Sequence, residues 1–189
     1  MHRAESVQLR GAWDDALEAL ERAAQRALRA GTPRVAAHAS YRRGEILRLR
    51  GELDRADDAF REAARGGREP QPGLALLRLA QGDTIAALAS INRALEETSD
   101  PAQRARLLPA QVEIALAAGD LSDAQSASEE LAAIADDRGG DMLTAMAAQA
   151  SGAVESPRAT PAVPCHICAP RSAAGRISEH AMRRRVFAC

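Results

Sequence analysis

The sequence predicts an all-α protein built as an array of antiparallel helical hairpins, and three observations carry that prediction. A glycine is followed five residues later by an alanine at Gly11/Ala16, Gly51/Ala56, Gly82/Ala87 and Gly119/Ala124, so the glycines stand 40, 31 and 37 residues apart. A recurrence in that range is the signature of stacked supersecondary units. The chain is 46% hydrophobic yet only 2% aromatic, so alanine supplies much of the apolar count. Alanine combines the best helix propensity with little volume, which suits helices packed closely on one another. Finally, a period near 3.6 dominates from about residue 3 to 154.

The elements follow in order. Trp13, Ala16, Leu17, Leu20, Ala23, Ala24, Ala27 and Leu28 fall at spacings of three and four and form one apolar stripe. Gly31 and Pro33 stop that helix and start the next, which runs to about Arg50. Gly51-Glu52-Leu53-Asp54 makes a turn, after which Leu53, Ala56, Ala59, Phe60, Ala63 and Ala64 continue the stripe. Gly66, Gly67, Pro70 and Pro72 form a break. Helices over about 70–81 and 84–98 come next. Asp100-Pro101 has the form of a helix cap with proline at the first helical position. It opens a pair over about 101–118 and 121–137, and Gly139-Gly140 leads into a ninth helix that fades near Val154.

The recurrence extends beyond the glycines. Nine residues after each stand Leu20, Phe60, Ile91 and Ser128, and twelve after stand Ala23, Ala63, Ala94 and Leu131. Small residues two turns apart on one face let a neighbouring helix approach. Each glycine is placed to end the first helix of a hairpin, where positive φ is easiest for a residue without Cβ.

Charge and composition bound the function. Formal net charge is -1, and all 25 basic residues are arginine. A near-neutral balance supplies no global attraction to nucleic acid or an anionic membrane. No apolar run approaches the ~20 residues of a spanning helix, and Met1-His2-Arg3-Ala4-Glu5 leads into mixed polar sequence without the apolar segment of a signal peptide. The expected location is the cytoplasm. No glycine-rich phosphate loop, GxSxG elbow, HExxH or kinase-type motif occurs, and the expectation is a protein that is not an enzyme and holds no cofactor.

The second unit, with Gly44 in its first helix, Gly51 at the turn, then Ala56, Phe60, Ala63 and Pro70, resembles the tetratricopeptide repeat. In the other units Ala75 and Val112 stand where that repeat has its first-helix glycine. Residues 47–60, 72–82 and 106–121 are similar to the repeat region of actinobacterial LuxR-type transcriptional regulators, a likeness covering about residues 10–154. It implies a right-handed α-solenoid of about four and a half hairpins serving as a protein-interaction or signal-reception arm. In that family the arm sits beside a helix-turn-helix domain and in some members an ATPase domain. Neither is recognisable here, so no direct nucleic-acid contact is expected of this chain.

Stacking of the kind the resemblance implies lines a concave groove with the first helix of each hairpin. Alignment on the turn glycines places His38, Tyr41, Glu45 and Arg48 there from the second unit, and Arg106 and Glu113 from the fourth. Such a row suits a protein or peptide partner, through charge-assisted hydrogen bonds and a tyrosine contact surface. The same residues also suit ordinary solvated positions on amphipathic helices.

After Val154 the character changes. Residues 1–154 contain 19 leucines and residues 155–189 none, while the latter carry four prolines and all three cysteines. A disordered tail over 155–189 is expected. Cys165-His166-Ile167-Cys168 admits three readings. It is half of a zinc site completed by His180 and Cys189, a redox pair, or cysteine without a role. The composition is also what a GC-rich gene yields out of frame, which would make the chain a truncated regulator with the tail a frameshift product. Arg183-Arg184-Arg185 offers only weak, salt-sensitive attraction to phosphate. The reading adopted is a repeat domain over 1–154 with no metal. The alternatives are a metal-binding or redox protein using Cys165 and Cys168, and a free-standing repeat adaptor. Met142, Leu143 and Met146 of the last helix are expected to be uncovered and prone to self-association.

Overall fold

The computed structural model describes residues 12–155, and these are all-helical. Eight helices are present among them: α1 (Trp13–Arg29), α2 (Pro33–Leu49), α3 (Leu53–Arg65), α4 (Gly73–Ala80), α5 (Thr84–Glu96), α6 (Pro101–Ala118), α7 (Leu121–Arg138) and α8 (Asp141–Glu155). The expected domain boundary at 154 thus falls at the end of the described residues. Gly11, the cysteines and the arginine triplet lie outside them.

Hairpin closure follows from the glycines. Gly51, Gly82 and Gly119 have φ of 77°, 83° and 78°, the left-handed region that a Cβ disfavours. In each case the next N–H reaches back five residues, from Glu52 to the Leu47 carbonyl, Asp83 to Arg78 and Asp120 to Ala115. This paired closure satisfies carbonyls that a helix end leaves orphaned. Asp83, Asp100 and Asp120 then cap the following helices by accepting from the N–H groups of Ala86, Ala102 and Asp123.

The alanine half of each pair is buried in the core. Ala16, Ala56, Ala87 and Ala124 are all 0% exposed, each the fourth residue of its helix. The residues four positions later, Leu20, Phe60, Ile91 and Ser128, are buried beside them.

Each helix packs on its neighbours in sequence, and α2, α4, α6 and α8 also touch in succession. The even helices therefore form one layer and the odd helices lie along it. An inner helix is covered on several sides, so α2 and α6 bury residues almost all round: Ala36, Ala37, Ala39, Tyr41, Ile46 and Leu47 in one, Ala105, Leu107, Leu108, Val112 and Ile114 in the other. Outer α1 and α3 keep a single buried stripe.

Ion pairs tie the layers at their edges. Arg43 of α2 holds Glu21 of α1 and Glu62 of α3. Asp57 of α3, 8% exposed, is paired with Arg61 and with Arg78 of α4. Arg104 of α6 grips both carboxylate oxygens of Glu130 on α7 and donates to the Leu95 and Thr98 carbonyls that end α5.

Three expectations change. The helix expected over 70–81 spans only Gly73–Ala80, because a residue before proline is driven out of the helical region and Gln71 precedes Pro72. Leu28 lies one residue past the stripe of α1 and is 59% exposed. Of the apolar residues expected to be uncovered on the last helix, only Met142 is, at 74%; Leu143 and Met146 pack against the core formed with α6 and α7. No helix among the described residues is long and apolar enough to cross a membrane.

Candidate binding groove

The inner layer leaves an open groove of about 430 Å³ where α4, α6 and α8 run side by side. Its walls are apolar for most of their length: Leu76 and Leu79 from α4, Pro109, Val112 and Leu116 from α6, and Met146 from α8. The cause is the brevity of the side chains between them. Ala110, Ala117, Ala150 and Ala153 set back the surface wherever a larger residue would close it. Pro109 sits in the interior of α6 and has no N–H, so the Ala105 carbonyl lacks its usual helical donor.

Arg106 and Glu113, both anticipated from the repeat, line this groove. Arg106 also lines an adjoining cleft of about 270 Å³, shared with Arg68, Gln71, Thr98, Gln103 and Leu107. Arg106 makes no hydrogen bond or ion pair to any described residue. Arg68, in the α3–α4 connection, carries its guanidinium carbon 4.8 Å from the centre of the Tyr41 ring. Its Nε is buried without a hydrogen-bond partner.

His38 is half-buried, within electrostatic reach of Arg68 and Arg106. Burial holds its imidazole below the usual range, and the cations Arg68, Arg42 and Arg106 add to that against the opposing Glu45. Glu45 is itself paired with Arg42 at 2.9 Å.

Tyr41 occupies a different role from the one anticipated. It is 3% exposed, with its ring edge-on to Phe60 at 5.5 Å and its hydroxyl accepting from the Gly73 N–H at 3.3 Å. Burial pushes its hydroxyl up to about 12. It is a core residue that anchors α4 on α2, and it offers no open contact surface. Arg48 is likewise absent from the lining of both cavities, with its Nε buried and unpartnered. His38, Tyr41, Glu45 and Arg106 thus lie within electrostatic reach of one another, and Glu113 lies on the wall of the larger groove.

Sequence reasoning missed Arg68, Pro109 and the apolar wall from α4 and α8. Arg68 stands in a connection rather than on a first helix, so alignment of the units skipped it. Leu76 and Leu79 belong to the same inner layer as the anticipated residues, and their apolar character carried the only available signal.

Among the described residues no group of three or more His, Cys, Asp or Glu is placed to hold a metal ion; Cys165, Cys168, His180 and Cys189 lie outside them. No protein-family model matches the chain, and no curated protein and no solved structure is significantly similar to it.

Proposed function

We propose that this chain is a binding module, a tetratricopeptide-like right-handed solenoid of about four and a half hairpins whose inner layer takes a segment of another protein. The observation that carries the reading is the groove itself. Three consecutive inner helices line one continuous trough with Leu76, Leu79, Val112, Leu116 and Met146, and Arg106, which pairs with no described residue, stands on its wall. Contiguous apolar surface rimmed by polar residues marks an interaction site in soluble proteins. A helical layer with an open trough accepts an amphipathic or extended segment through side-chain anchors.

The resemblance to the repeat region of LuxR-type regulators sets the biological role within this reading: an arm in the cytoplasm that receives a protein signal and makes no direct contact with nucleic acid or membrane. The recurring glycine turns and the four fully buried alanines support the repeat assignment.

Photo-crosslinking tests it. A benzophenone side chain at Ala117, exposed on the groove wall, should give a discrete adduct with a second polypeptide in cells that make the protein natively. The same group at Ile85, 83% exposed on outer α5, should not. Equal yields at both positions, or none at Ala117, would count against the groove.

A further inference from the structure

The connection between α3 and α4, residues 66–72, is held at its two ends by different chemistry. Its near end rests on a single turn of α2. A Cβ on Gly66 would stand 2.6 Å from the Cβ of Ala37, so the two backbones meet closely there. Arg68 carries its guanidinium carbon 4.8 Å from the centre of the Tyr41 ring, and its Nε has no hydrogen-bond partner. Both contacts fall within residues 37–41, and half-buried His38 stands in that turn, about 60° from Tyr41 in helical phase. The far end is pinned by neutral hydrogen bonds. Gln71 donates to the Ser90 hydroxyl at 2.5 Å and accepts from the Ala75 N–H at 3.1 Å, and the Gly73 N–H donates to the Tyr41 hydroxyl at 3.3 Å.

Only the near end therefore responds to charge. His38 is the only histidine among the described residues, and it is acted on by Arg42 and Glu45 of α2, Arg68 of the connection and Arg106 of α6. Glu45 is held by Arg42 at 2.9 Å, and Glu69, beside Arg68, accepts from the Gln71 N–H at 3.4 Å. Charges on the other elements around α2 are taken up in pairs: Glu21 of α1 and Glu62 of α3 with Arg43, and Asp57 of α3 with Arg61 and with Arg78 of α4. A proton on the imidazole adds one more cation to this half-buried cluster. Arg42 and Arg106 stand on inner helices fixed by their buried residues, whereas Arg68 stands on a connection. Opening occurs first where the fewest buried contacts must be broken.

We propose that residues 66–69 form an acid-released strap, closed on α2 while His38 is neutral and lifted from Ala37 and Tyr41 when His38 takes up a proton. While the strap is closed, burial and the neighbouring cations hold the imidazole below its usual range. Release exposes it to water and takes Arg68 away, so the open form binds the proton more readily. Closure is therefore complete above the ordinary value of 6.5 and is lost as pH falls through the closed-state value. One proton changes the open population by at most about tenfold per pH unit. Arg68 and Glu69 both line the cleft of about 270 Å³, so release of the strap opens that wall. The device belongs to the fold and holds whether or not the larger groove takes a protein.

The test is nuclear magnetic resonance on the full chain between about pH 8 and pH 5, where histidine titrates. The N–H groups of Gly67 and Arg68, bonded to the Ala64 and Ala63 carbonyls, report the strap through hydrogen exchange corrected for its intrinsic pH dependence. The ring of Tyr41, the only tyrosine, reports the presence of Arg68. Protection at Gly67 and Arg68 should fall by up to about tenfold per pH unit, and the Tyr41 ring signals should move with the same midpoint. The Gly73 N–H at the pinned end and the Asp120 N–H, which closes an equivalent turn onto Ala115, should keep their protection. His38→Gln should flatten both reports, with an unchanged thermal melt at about pH 8, where His38 is neutral. Arg68→Gln should flatten the exchange report independently, and carries the test should His38→Gln unfold. Protection at Gly67 and Arg68 that is constant with pH, or that still falls in either variant, would overturn the proposal. Equal loss at Gly73 and Asp120 would make the effect a general loss of stability, and would overturn it too.

Discussion

The ring of Phe60 lies so close to Gly44 that a Cβ on the glycine would stand 2.8 Å from Cε1. The same ring would meet a Cβ at Gly73 at 2.5 Å. One aromatic side chain, 0% exposed, therefore spaces three consecutive elements, α2, α3 and α4. The two glycines are what let the helices close on it.

Substitution at Gly44 reverses a familiar sign. Glycine to alanine inside a helix ordinarily stabilises by about 0.5–1 kcal/mol. Here the new methyl has to displace a buried ring, and overpacking of a filled core costs about 1–3 kcal/mol. Gly44→Ala is expected to destabilise by about 1–2 kcal/mol in urea unfolding. Gly152→Ala on α8, where a Cβ meets nothing within 4 Å, is expected to stabilise. A stabilising Gly44→Ala would show that Phe60 does not sit against α2.

Tyr41 is the only tyrosine in the chain, so its titration can be followed without interference. Burial raises it to about 12, and phenolate absorbance should appear well above the ordinary value of 10.0. With the folded pKa raised above the unfolded one, its stabilising contribution is complete below about pH 10 and is lost as pH rises toward about 12. Tyr41→Phe keeps the ring on Phe60 but removes the acceptor of the Gly73 N–H, for an expected loss of about 1 kcal/mol. Phenolate absorbance rising with an ordinary midpoint would mean that Tyr41 is open to solvent.

On the acid side two groups act in separate windows. The hydrogen bond from Arg104 holds the Glu130 carboxyl below its ordinary 4.5, against the opposing effect of burial. His38 is held below its ordinary 6.5, first by burial and then by Arg68, Arg42 and Arg106. Both folded values are depressed, so both contributions are present above the unfolded pKa and are lost as pH falls through the folded one. Stability should decline in a first step below 6.5 and a second below 4.5. His38→Gln should remove the first and Glu130→Gln the second. Urea midpoints measured across pH check this, and an unchanged upper step in His38→Gln would place His38 in solvent.

These residues also show how far sequence could see. Gly51, Gly82 and Gly119, with Ala56, Ala87 and Ala124, were legible because a turn and a helix crossing impose their demands locally, at fixed offsets. That Asp100 caps and Pro101 starts a helix is local in the same sense. Tyr41 was misplaced because its neighbours Phe60 and Gly73 come from two other helices, and helical phase alone assigns a face without saying what covers it. The α4 wall of the groove was hidden for a related reason. Leu74, Leu76, Leu77 and Leu79 look equally apolar, yet Leu77 is 0% exposed in the core while Leu76 and Leu79 line the groove. Which leucines remain open depends on how closely α6 and α8 approach, and that is set by Ala110 and Ala150 far along the chain.

Pro109 separates stability from binding. It lies in the interior of α6, on the groove wall, and an interior proline costs a helix about 3 kcal/mol relative to alanine. Part of that cost is offset, since proline also stiffens the unfolded chain by about 0.4–1 kcal/mol. Pro109→Ala restores an N–H for the Ala105 carbonyl and is expected to stabilise the protein by about 2 kcal/mol in urea unfolding. It also removes apolar ring surface from the groove wall. The yield of the Ala117 crosslink should therefore fall as stability rises. A residue present only for folding would move both in the same direction or leave binding untouched. Opposite signs in the urea midpoint and the crosslink yield would place Pro109 in the binding surface, retained there at the expense of helix stability.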